Sequence, residues 1–293
     1  MKDKLELFRE KAIDFMHSKW AKDCVGNEKL DIDTENFEKI SNYIFNELTT
    51  NKKPSKSPFI FKIGGQSGSG KTTQLMPSIN SVIENNKLDF INISVRMFAK
   101  LHPNYNELLQ EFGDGMIREK TNGFALMMLF RTVERLIKSK YNILLEITII
   151  DNNFEEYLFR LAKIKRYNVH FHILSVPHEK SDSWIEKRKS VSKTEGNRIV
   201  LKSSSDFFFD VLPITLSKII SYNFWNKNDK IFLWSGFDLK PLLIGKVRKN
   251  KKSLELLQEY RKIIDFQEVD EIELLNSKIK WFNEYYGGKI YNK

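Results

Sequence analysis

A single cysteine, Cys24, is present, so no disulfide can form within the chain. We expect a reducing compartment and a structural or exposed thiol, since no cluster of cysteines and histidines lies near this residue. The sequence also lacks a signal-type apolar core at its start, and no apolar run approaches the roughly 18 residues that span a bilayer. These absences predict a soluble cytoplasmic protein that makes no membrane contact.

Basic residues are in excess, and the 293 residues carry a net charge of +10. This charge favours anionic partners such as nucleotides, nucleic acid or anionic lipid. A lysine-rich surface that is simply solvated is an equally compatible interpretation, because the lysines form scattered short runs such as residues 249–252. The length and the hydrophobic content of 41% allow one large α/β domain, with or without an appendage.

One stretch, from Gly65 to Thr72, matches the phosphate-binding pattern G-x-x-x-x-G-K-[ST] in full. A short apolar segment precedes it and a potential helix follows, which is the strand, loop and helix context that this pattern requires. Backbone N–H groups of such a loop point at phosphate oxygens, Lys71 reaches the β- and γ-phosphates, and the Thr72 hydroxyl binds Mg²⁺. The predicted nucleotide-binding residues are Gly65, Gln66, Ser67, Gly68, Ser69, Gly70, Lys71, Thr72 and Thr73.

Apolar strands alternate with helical patterns along the chain, which predicts an α/β fold of the P-loop NTPase class. The sheet is expected to be doubly wound and mostly parallel, with flanking helices. Predicted strands span 59–63, 88–95, 141–146 and 169–177, with a further pair at 230–234 and 241–244. Predicted helices span 5–20, 34–48, 122–138, 154–166 and 205–212, the last stopped by Pro213, with two more between 253 and 286. We divide the chain into an N-terminal extension (1–30), a P-loop kinase domain (31–222) and a C-terminal strand pair with helices packed on the core (223–293).

Further candidate site residues lie after the strands. Glu146 ends the third predicted strand, where open α/β sheets bind ligands, so it is a candidate for the Mg²⁺ shell; a solvated glutamate is the alternative. Arg188 and Arg198 lie in a basic segment, residues 181–199, which we expect to be mobile and to act as a lid that brings cations to a phosphoryl group; plain surface charge is the alternative. His170 and His172 are expected to be core or surface histidines, not metal ligands.

Several stretches, in the same order along the chain, resemble the zeta toxin family, whose described members are kinases of bacterial toxin–antitoxin pairs. Residues 64–73 are similar to that family's P-loop, residues 102–108 to its His-Pro-Asn-Phe-x-Glu-Leu signature, and residues 141–148 to its strand ending in Glu-x-Thr. Residues 175–177 and 211–213 fall where the family has similar turns.

The resemblance implies transfer of the γ-phosphate of ATP or GTP, with Mg²⁺, to a hydroxyl of UDP-N-acetylglucosamine, and neutralisation by an antitoxin protein. It also implies that Lys71 and Thr72 bind the nucleotide and Mg²⁺, and that Glu146 and Thr148 line the site. By the same resemblance, Arg188 and Arg198 act as cations of a lid over the site.

The acceptor side departs from the family pattern. Arg96 stands where the family has an aspartate, the presumed base for the substrate hydroxyl; Ser94 replaces a related acid, and Phe130 a substrate-binding glutamate. A general base contributes about 10²–10⁴-fold, whereas positioning and cations carry most of phosphoryl transfer, so the kinase interpretation stands. Arg96 then binds an anionic acceptor, and Asp151 or Asp114 is a candidate for a relocated carboxylate.

Two other functions stay open. Arg96 and Phe130 favour a nucleotide-binding protein that has lost or changed kinase activity. The net charge favours a kinase of nucleic-acid 5′-hydroxyls, which we rank last, so that we do not expect a nucleic-acid partner. The helix within residues 1–25 is expected to pack on the main body; the alternative is that it lies over the nucleotide site and restrains it.

Overall fold

The computed structural model describes residues 2–24, 34–147, 152–192, 202–248, 250–262 and 270–286. Helices in these ranges are α1 (Lys2–Cys24), α2 (Thr34–Thr49), α3 (Met76–Asn85), α4 (Val95–Ala99), α5 (Tyr105–Lys138), α6 (Asn152–Ile164), α7 (His178–Ser192), α8 (Lys202–Ser221), α9 (Lys251–Tyr260) and α10 (Glu271–Tyr286). Strands are β1 (Phe59–Gly65), β2 (Phe90–Ser94), β3 (Asn142–Glu146), β4 (Asn168–Ser175), β5 (Lys230–Ser235) and β6 (Leu243–Lys246). No helix in the described ranges is long and apolar enough to cross a membrane.

The strands form one sheet in the order β2-β3-β1-β4-β5-β6. Neighbouring strands from β2 to β5 pair in parallel, and β6 adds to β5 antiparallel. The predicted α/β fold of the P-loop class, with a doubly wound and mostly parallel sheet, is confirmed. The boundaries drawn at residues 30 and 222 stay predictions, although β5 and β6 extend the same sheet.

Helices cover both faces of the sheet, because successive strand residues point to opposite sides. Ile60 belongs to the larger apolar cluster, with residues of α5, α6 and α8. Phe61 and Ile63 belong to the smaller cluster, with residues of α3 and α10. The strands are therefore apolar almost throughout, as expected of a parallel sheet buried on both faces.

Helix α1 packs against α5 and α6, which agrees with the expectation that the N-terminal helix packs on the main body. Its Arg9 donates to the buried carboxylate of Glu134 in α5 at 2.8 Å. Burial opposes ionisation of Glu134, but hydrogen bonds from Arg9, Tyr157 and Lys138 prevail and hold its pKa at about 2. A charged network thus fixes α1 to the body of the fold.

The expectation that Pro213 stops a helix is wrong, and no turn lies at residues 211–213, because α8 continues through the proline to Ser221. Proline has no N–H, so it cannot donate to the carbonyl of Phe209, four residues earlier. Arg261 supplies the missing donor: its Nη2 donates to the Phe209 carbonyl, and its guanidinium lies 3.3 Å from the centre of the Phe209 ring. Burial lowers the pKa of Arg261 to about 10, so the group is still charged at neutral pH.

His170 and His172 are both buried, as predicted for core histidines, and they share one hydrogen-bonded chain. The Trp234 indole donates to His172 Nδ1 (3.3 Å), so His172 Nε2 carries the proton and donates to the Tyr286 hydroxyl (3.1 Å). Tyr286 in turn donates to His170 Nδ1 (2.9 Å), and His170 Nε2 donates to the Asn228 carbonyl (3.1 Å). Burial lowers the pKa of His170 to about 3 and that of His172 well below its usual value, so both are neutral.

Lowering the pH from 7 to 5 is expected to reduce the free energy of unfolding. The folded histidines stay neutral, whereas the unfolded chain binds protons near the usual pKa of 6.5. Their contribution is therefore complete above pH 6.5 and is lost as the pH falls, by up to about 1.4 kcal/mol per pH unit for each histidine. Urea denaturation at pH 7, 6 and 5 measures the change.

His172→Phe is expected to flatten this pH dependence, at some cost in stability at pH 7 from the broken chain. His17→Gln is the matched control, because His17 is exposed and takes no part in this hydrogen-bonded chain. Equal stability of the unmodified protein at pH 7 and pH 5 would contradict buried, neutral histidines.

Arg261→Ala is expected to lower the free energy of unfolding by about 1–3 kcal/mol, since it removes the contact with the Phe209 ring and leaves a carbonyl without a donor. In a Pro213→Ala background the new N–H reaches that carbonyl, so the same Arg261→Ala change costs less. A double-mutant cycle by urea denaturation measures the coupling. An identical cost in both backgrounds would rule out the compensation.

Candidate nucleotide-binding site

Three glycines in left-handed backbone give the loop after β1 its shape. Gly65, Gly68 and Gly70 have φ of +140°, +71° and +92°. A Cβ on Gly65 would lie 2.3 Å from the Leu174 carbonyl oxygen, and one on Gly68 would lie 2.4 Å from the Ser181 carbonyl oxygen. The loop is therefore held against β4 and α7 so closely that only glycine fits at these two positions.

The helix that follows the loop begins with a widened turn. Residues Lys71–Leu75 form a π-helical turn, and the Met76 N–H donates to the Lys71 carbonyl, five residues back. Pro77 follows at the start of α3 and has no N–H to continue the usual ladder. Because the N-terminus of this turn faces the glycine loop, its N–H groups and partial positive charge lie at the predicted phosphate position.

The side chain of Lys71 folds back onto the glycine loop. Its Nζ donates to the carbonyl oxygens of Gly65 (2.8 Å) and Gln66 (2.6 Å). The buried Ser69 hydroxyl and Gln66 Oε1 have no hydrogen-bond partner among the described residues. An ammonium and a buried hydroxyl beside three left-handed glycines fit a phosphate chain, so the residues are suited to a nucleoside triphosphate.

The structure brings the two predicted metal ligands together. Thr72 Oγ1 donates to Glu146 Oε1 at 2.9 Å. The parallel register pairs Ile63 with Glu146, so β1 and β3 end side by side and the loop after β1 reaches the end of β3. A hydroxyl and a carboxylate at this spacing are oxygen ligands that suit Mg²⁺.

The predicted acceptor side is only partly described. Ser94 pairs with Glu146 in the sheet register, and Arg96, two residues later in α4, is exposed. Phe130 is 2% exposed and packs against the rings of Phe154 and Tyr157, so it is a core residue and does not reach this edge. The other acceptor-side candidates lie outside the described residues: Thr148, Asp151 and the side chain of Asp114.

Residues 181–192 of the basic segment after β4 are helical, residues 193–199 lie outside the described residues, and the mobility of the segment stays a prediction. Helix α7 begins at His178, whose ring nitrogens lie 3.3 Å from Asp182 and 2.9 Å from Asp206 of α8. Ser181 donates to the Ser67 carbonyl of the glycine loop. Arg188 lies in α7, where its side chain is outside the described residues, and Arg198 is outside them altogether, so their role as lid cations stays a prediction.

Two contacts at the site were missed by the sequence predictions. Ser181 carries no local signal, because its role depends on the approach of α7 to the loop. Lys62 does carry one, since a charged residue interrupts the apolar strand β1. Its Nζ donates to the Ile147 carbonyl at 2.5 Å and lies 3.1 Å from the Glu155 carboxylate.

A family model described as Zeta toxin matches residues 45–236. The chain belongs to the zeta toxin family. Its match covers the glycine loop, the end of β3 and helix α7, which are the elements that meet at the site. The family resemblance predicted from the sequence is confirmed.

Curated zeta toxin relatives align over part of the chain. Toxin PezT of Streptococcus pneumoniae serotype 4 is 34% identical over 135 residues, or 46% of this chain and 51% of that protein. Toxin zeta of Streptococcus pyogenes is 28% identical over 141 residues, or 48% of this chain and 47% of that protein. The chain therefore spans about half the length of these curated relatives.

A solved structure from the characterisation of the PezAT chromosomal toxin–antitoxin system of Streptococcus pneumoniae is similar over a longer range. It superposes with a TM-score of 0.63 at 26% identity, and the match covers 89% of this chain and 99% of that chain. The similarity thus extends beyond the aligned half of the sequence to most of the fold.

Gly68→Ala is expected to weaken ATP binding about tenfold or more, because its Cβ pushes α7 away from the glycine loop. Gly113→Ala is the control for backbone strain alone: Gly113 has φ of +72° and ψ of 170°, a combination essentially restricted to glycine, and a Cβ there meets nothing within 4 Å. Both alanines bear strain of about 1–3 kcal/mol from a positive φ, but only the alanine at residue 68 meets the backbone of α7. Calorimetric titration with ATP distinguishes them, and equal affinities would contradict the close approach.

Proposed function

We propose that this zeta toxin family member transfers the γ-phosphate of ATP or GTP to a hydroxyl of a small-molecule acceptor such as UDP-N-acetylglucosamine. The observation that carries the proposal is the 2.9 Å hydrogen bond between Thr72 and Glu146, directly beside Lys71 and the glycine loop. A phosphate-binding loop and a carboxylate at the same sheet edge are the parts that metal-assisted phosphoryl transfer requires.

The residues of the loop would act on the triphosphate by position and charge. Lys71 exchanges its two carbonyl partners for phosphate oxygens, where its charge opposes the negative charge that develops during transfer. Thr72 and Glu146 would hold Mg²⁺, and the chemistry that this ion would supply is withdrawal of charge from the phosphate oxygens. The backbone N–H groups of the loop and of the first helical turn fix the phosphate chain in place, so the γ-phosphate faces the carboxyl ends of β2 and β3.

The acceptor is expected to lie over the ends of β2 and β3. Arg96 is exposed there and offers a cation in place of the family's aspartate, which favours an anionic acceptor. Thr148 and Asp151 are proposed to line this side, with Asp151 as a relocated carboxylate. Arg188 and Arg198 are proposed to supply the cations that cover the transferred phosphoryl group.

The alternative is a nucleotide-binding protein that has lost or changed its kinase activity. The exposed Arg96 and the buried Phe130 favour it, because neither supplies a base or an acceptor carboxylate. Loss of a general base costs about 10²–10⁴-fold in rate. Binding of the nucleotide then continues without turnover.

An antitoxin protein is the proposed partner. Similarity to Toxin PezT and to the structure from the PezAT toxin–antitoxin system supports a chain that acts as the toxin of such a pair. Nucleic acid is not proposed as a partner.

Incubation with labelled ATP and cell-extract metabolites, including nucleotide sugars, tests the kinase. Transfer to a metabolite is expected, and Lys71→Ala is expected to abolish it, since the ammonium at the β- and γ-phosphates is removed. Thr72→Val is expected to lower the rate about tenfold or more by removing a metal ligand. Thr50→Val is the control, because Thr50 is an exposed threonine outside the glycine loop, and its hydroxyl donates to the Asn46 carbonyl of α2.

Absence of transfer to any metabolite, in both the unmodified protein and Lys71→Ala, would overturn the proposal that this protein is a kinase. Calorimetry that shows ATP binding without turnover would then support the alternative. Recovery of transfer by Arg96→Asp would show that only the acceptor side had changed.

A further inference from the structure

Lys62 occupies an unusual place for a charged residue. It lies in β1, an inner strand of the sheet, where its neighbours in register are Leu145 of β3 and Phe171 of β4. Its side chain is 0% exposed. On the same face of β1 lies Ile60 of the larger apolar cluster, so the Lys62 side chain enters what is otherwise apolar core.

The contacts of Lys62 join the two ends of one connection. Its Nζ donates to the carbonyl of Ile147, the residue directly after Glu146 at the end of β3. It also lies 3.1 Å from the carboxylate of Glu155, which is 3% exposed and belongs to the first turn of α6. Burial lowers the pKa of Lys62, whereas the charges of Glu155 and Glu146 oppose this shift.

Stability alone does not account for this pair. Burying two charges costs several kcal/mol of desolvation, and replacing a buried ion pair by apolar side chains of similar volume is often neutral or stabilising. An ion pair does, however, fix direction better than apolar contact, because its hydrogen bonds require particular atoms at particular positions. The carbonyl of Ile147, one residue beyond the end of β3, is such an atom.

We infer that Lys62 and Glu155 are a positioning pair that fixes the end of β3, at Ile147, relative to the first turn of α6, and thereby sets Glu146 against Thr72. The chain of contacts runs from Glu155 through Lys62 to the Ile147 carbonyl, and from there along the backbone to Glu146. The catalytic consequence rests on the proposed function. Misplacement of a ligand by about 1 Å can cost about 10²-fold in rate. The buried ion pair therefore affects catalysis through the position of Glu146, without touching the substrate.

The apolar double variant Lys62→Met with Glu155→Leu tests the inference, because it removes both charges and leaves neither unpaired. Urea denaturation is expected to show that it is at least as stable as the unmodified protein. Amide hydrogen exchange at Glu146, at Ile147 and in the first turn of α6 (residues 152–155) is nevertheless expected to be about tenfold faster or more. Addition of Mg²⁺ is expected to raise its ATP affinity about tenfold less than in the unmodified protein, with the affinity measured without Mg²⁺ unchanged.

Lys278→Met is the matched control. Lys278 is also fully buried and donates to a backbone carbonyl, that of Asp238, at 2.8 Å. Its removal is expected to leave exchange at Glu146, at Ile147 and in the first turn of α6, and the effect of Mg²⁺, unchanged. Lys62→Met with Glu155→Gln also leaves no charge unpaired and keeps the size and polarity of the side chain at residue 155, so it provides a second double variant; it is expected to show the same faster exchange.

Exchange at these amides as slow as in the unmodified protein, in both double variants, would overturn the inference. So would an unchanged effect of Mg²⁺ on ATP affinity in a double variant that exchanges faster. If the unmodified protein binds no ATP, the proposed function fails on that observation. The exchange measurement needs no nucleotide and still decides whether the pair fixes the backbone.

Discussion

The hydrogen bond between Thr72 and Glu146 joins two segments 74 residues apart, and the candidate site depends on it. It exists because β1 and β3 are parallel neighbours, and Glu146, the last residue of β3, is in register with Ile63, two residues before the end of β1. The carboxyl ends of parallel strands meet at one edge, and the connection after each strand must leave from that edge. The glycine loop and the Glu146 carboxylate are therefore adjacent because their strands are neighbours in the sheet, although the two residues are far apart in sequence.

Helix α10, which follows the residues matched by the family model, packs beneath the glycine loop. Helix α10 begins beyond residue 236, where the match ends, and it packs on α3 and on the π-helical turn that carries Lys71 and Thr72. Phe282 and Tyr286 of α10 belong to the smaller apolar cluster, together with Phe61 and Ile63 of β1. The C-terminal helix is therefore part of the core beneath the nucleotide site.

Polar groups inside this core fix how its helices and strands are arranged. Glu134 holds α1 through Arg9, the two histidines are ordered by Trp234 and Tyr286, and Lys62 connects β1 to the end of β3. Apolar packing is tolerant of small shifts, whereas a buried hydrogen bond that is broken leaves an expensive unsatisfied group. Such contacts select one arrangement among the many that an apolar core allows.

The glycine loop, the strands, the two C-terminal helices and the place of Glu146 at a strand end could all be predicted from the sequence, because each follows from a local pattern of residues. The sequence did not determine that α8 passes through Pro213, since the compensating donor, Arg261, is remote in sequence from the carbonyl it satisfies. Nor did it determine that α7 covers the loop or that Lys62 pairs with Glu155. Those contacts join residues whose separation along the chain carries no pattern, and only the packing of the sheet and its helices brings them within reach.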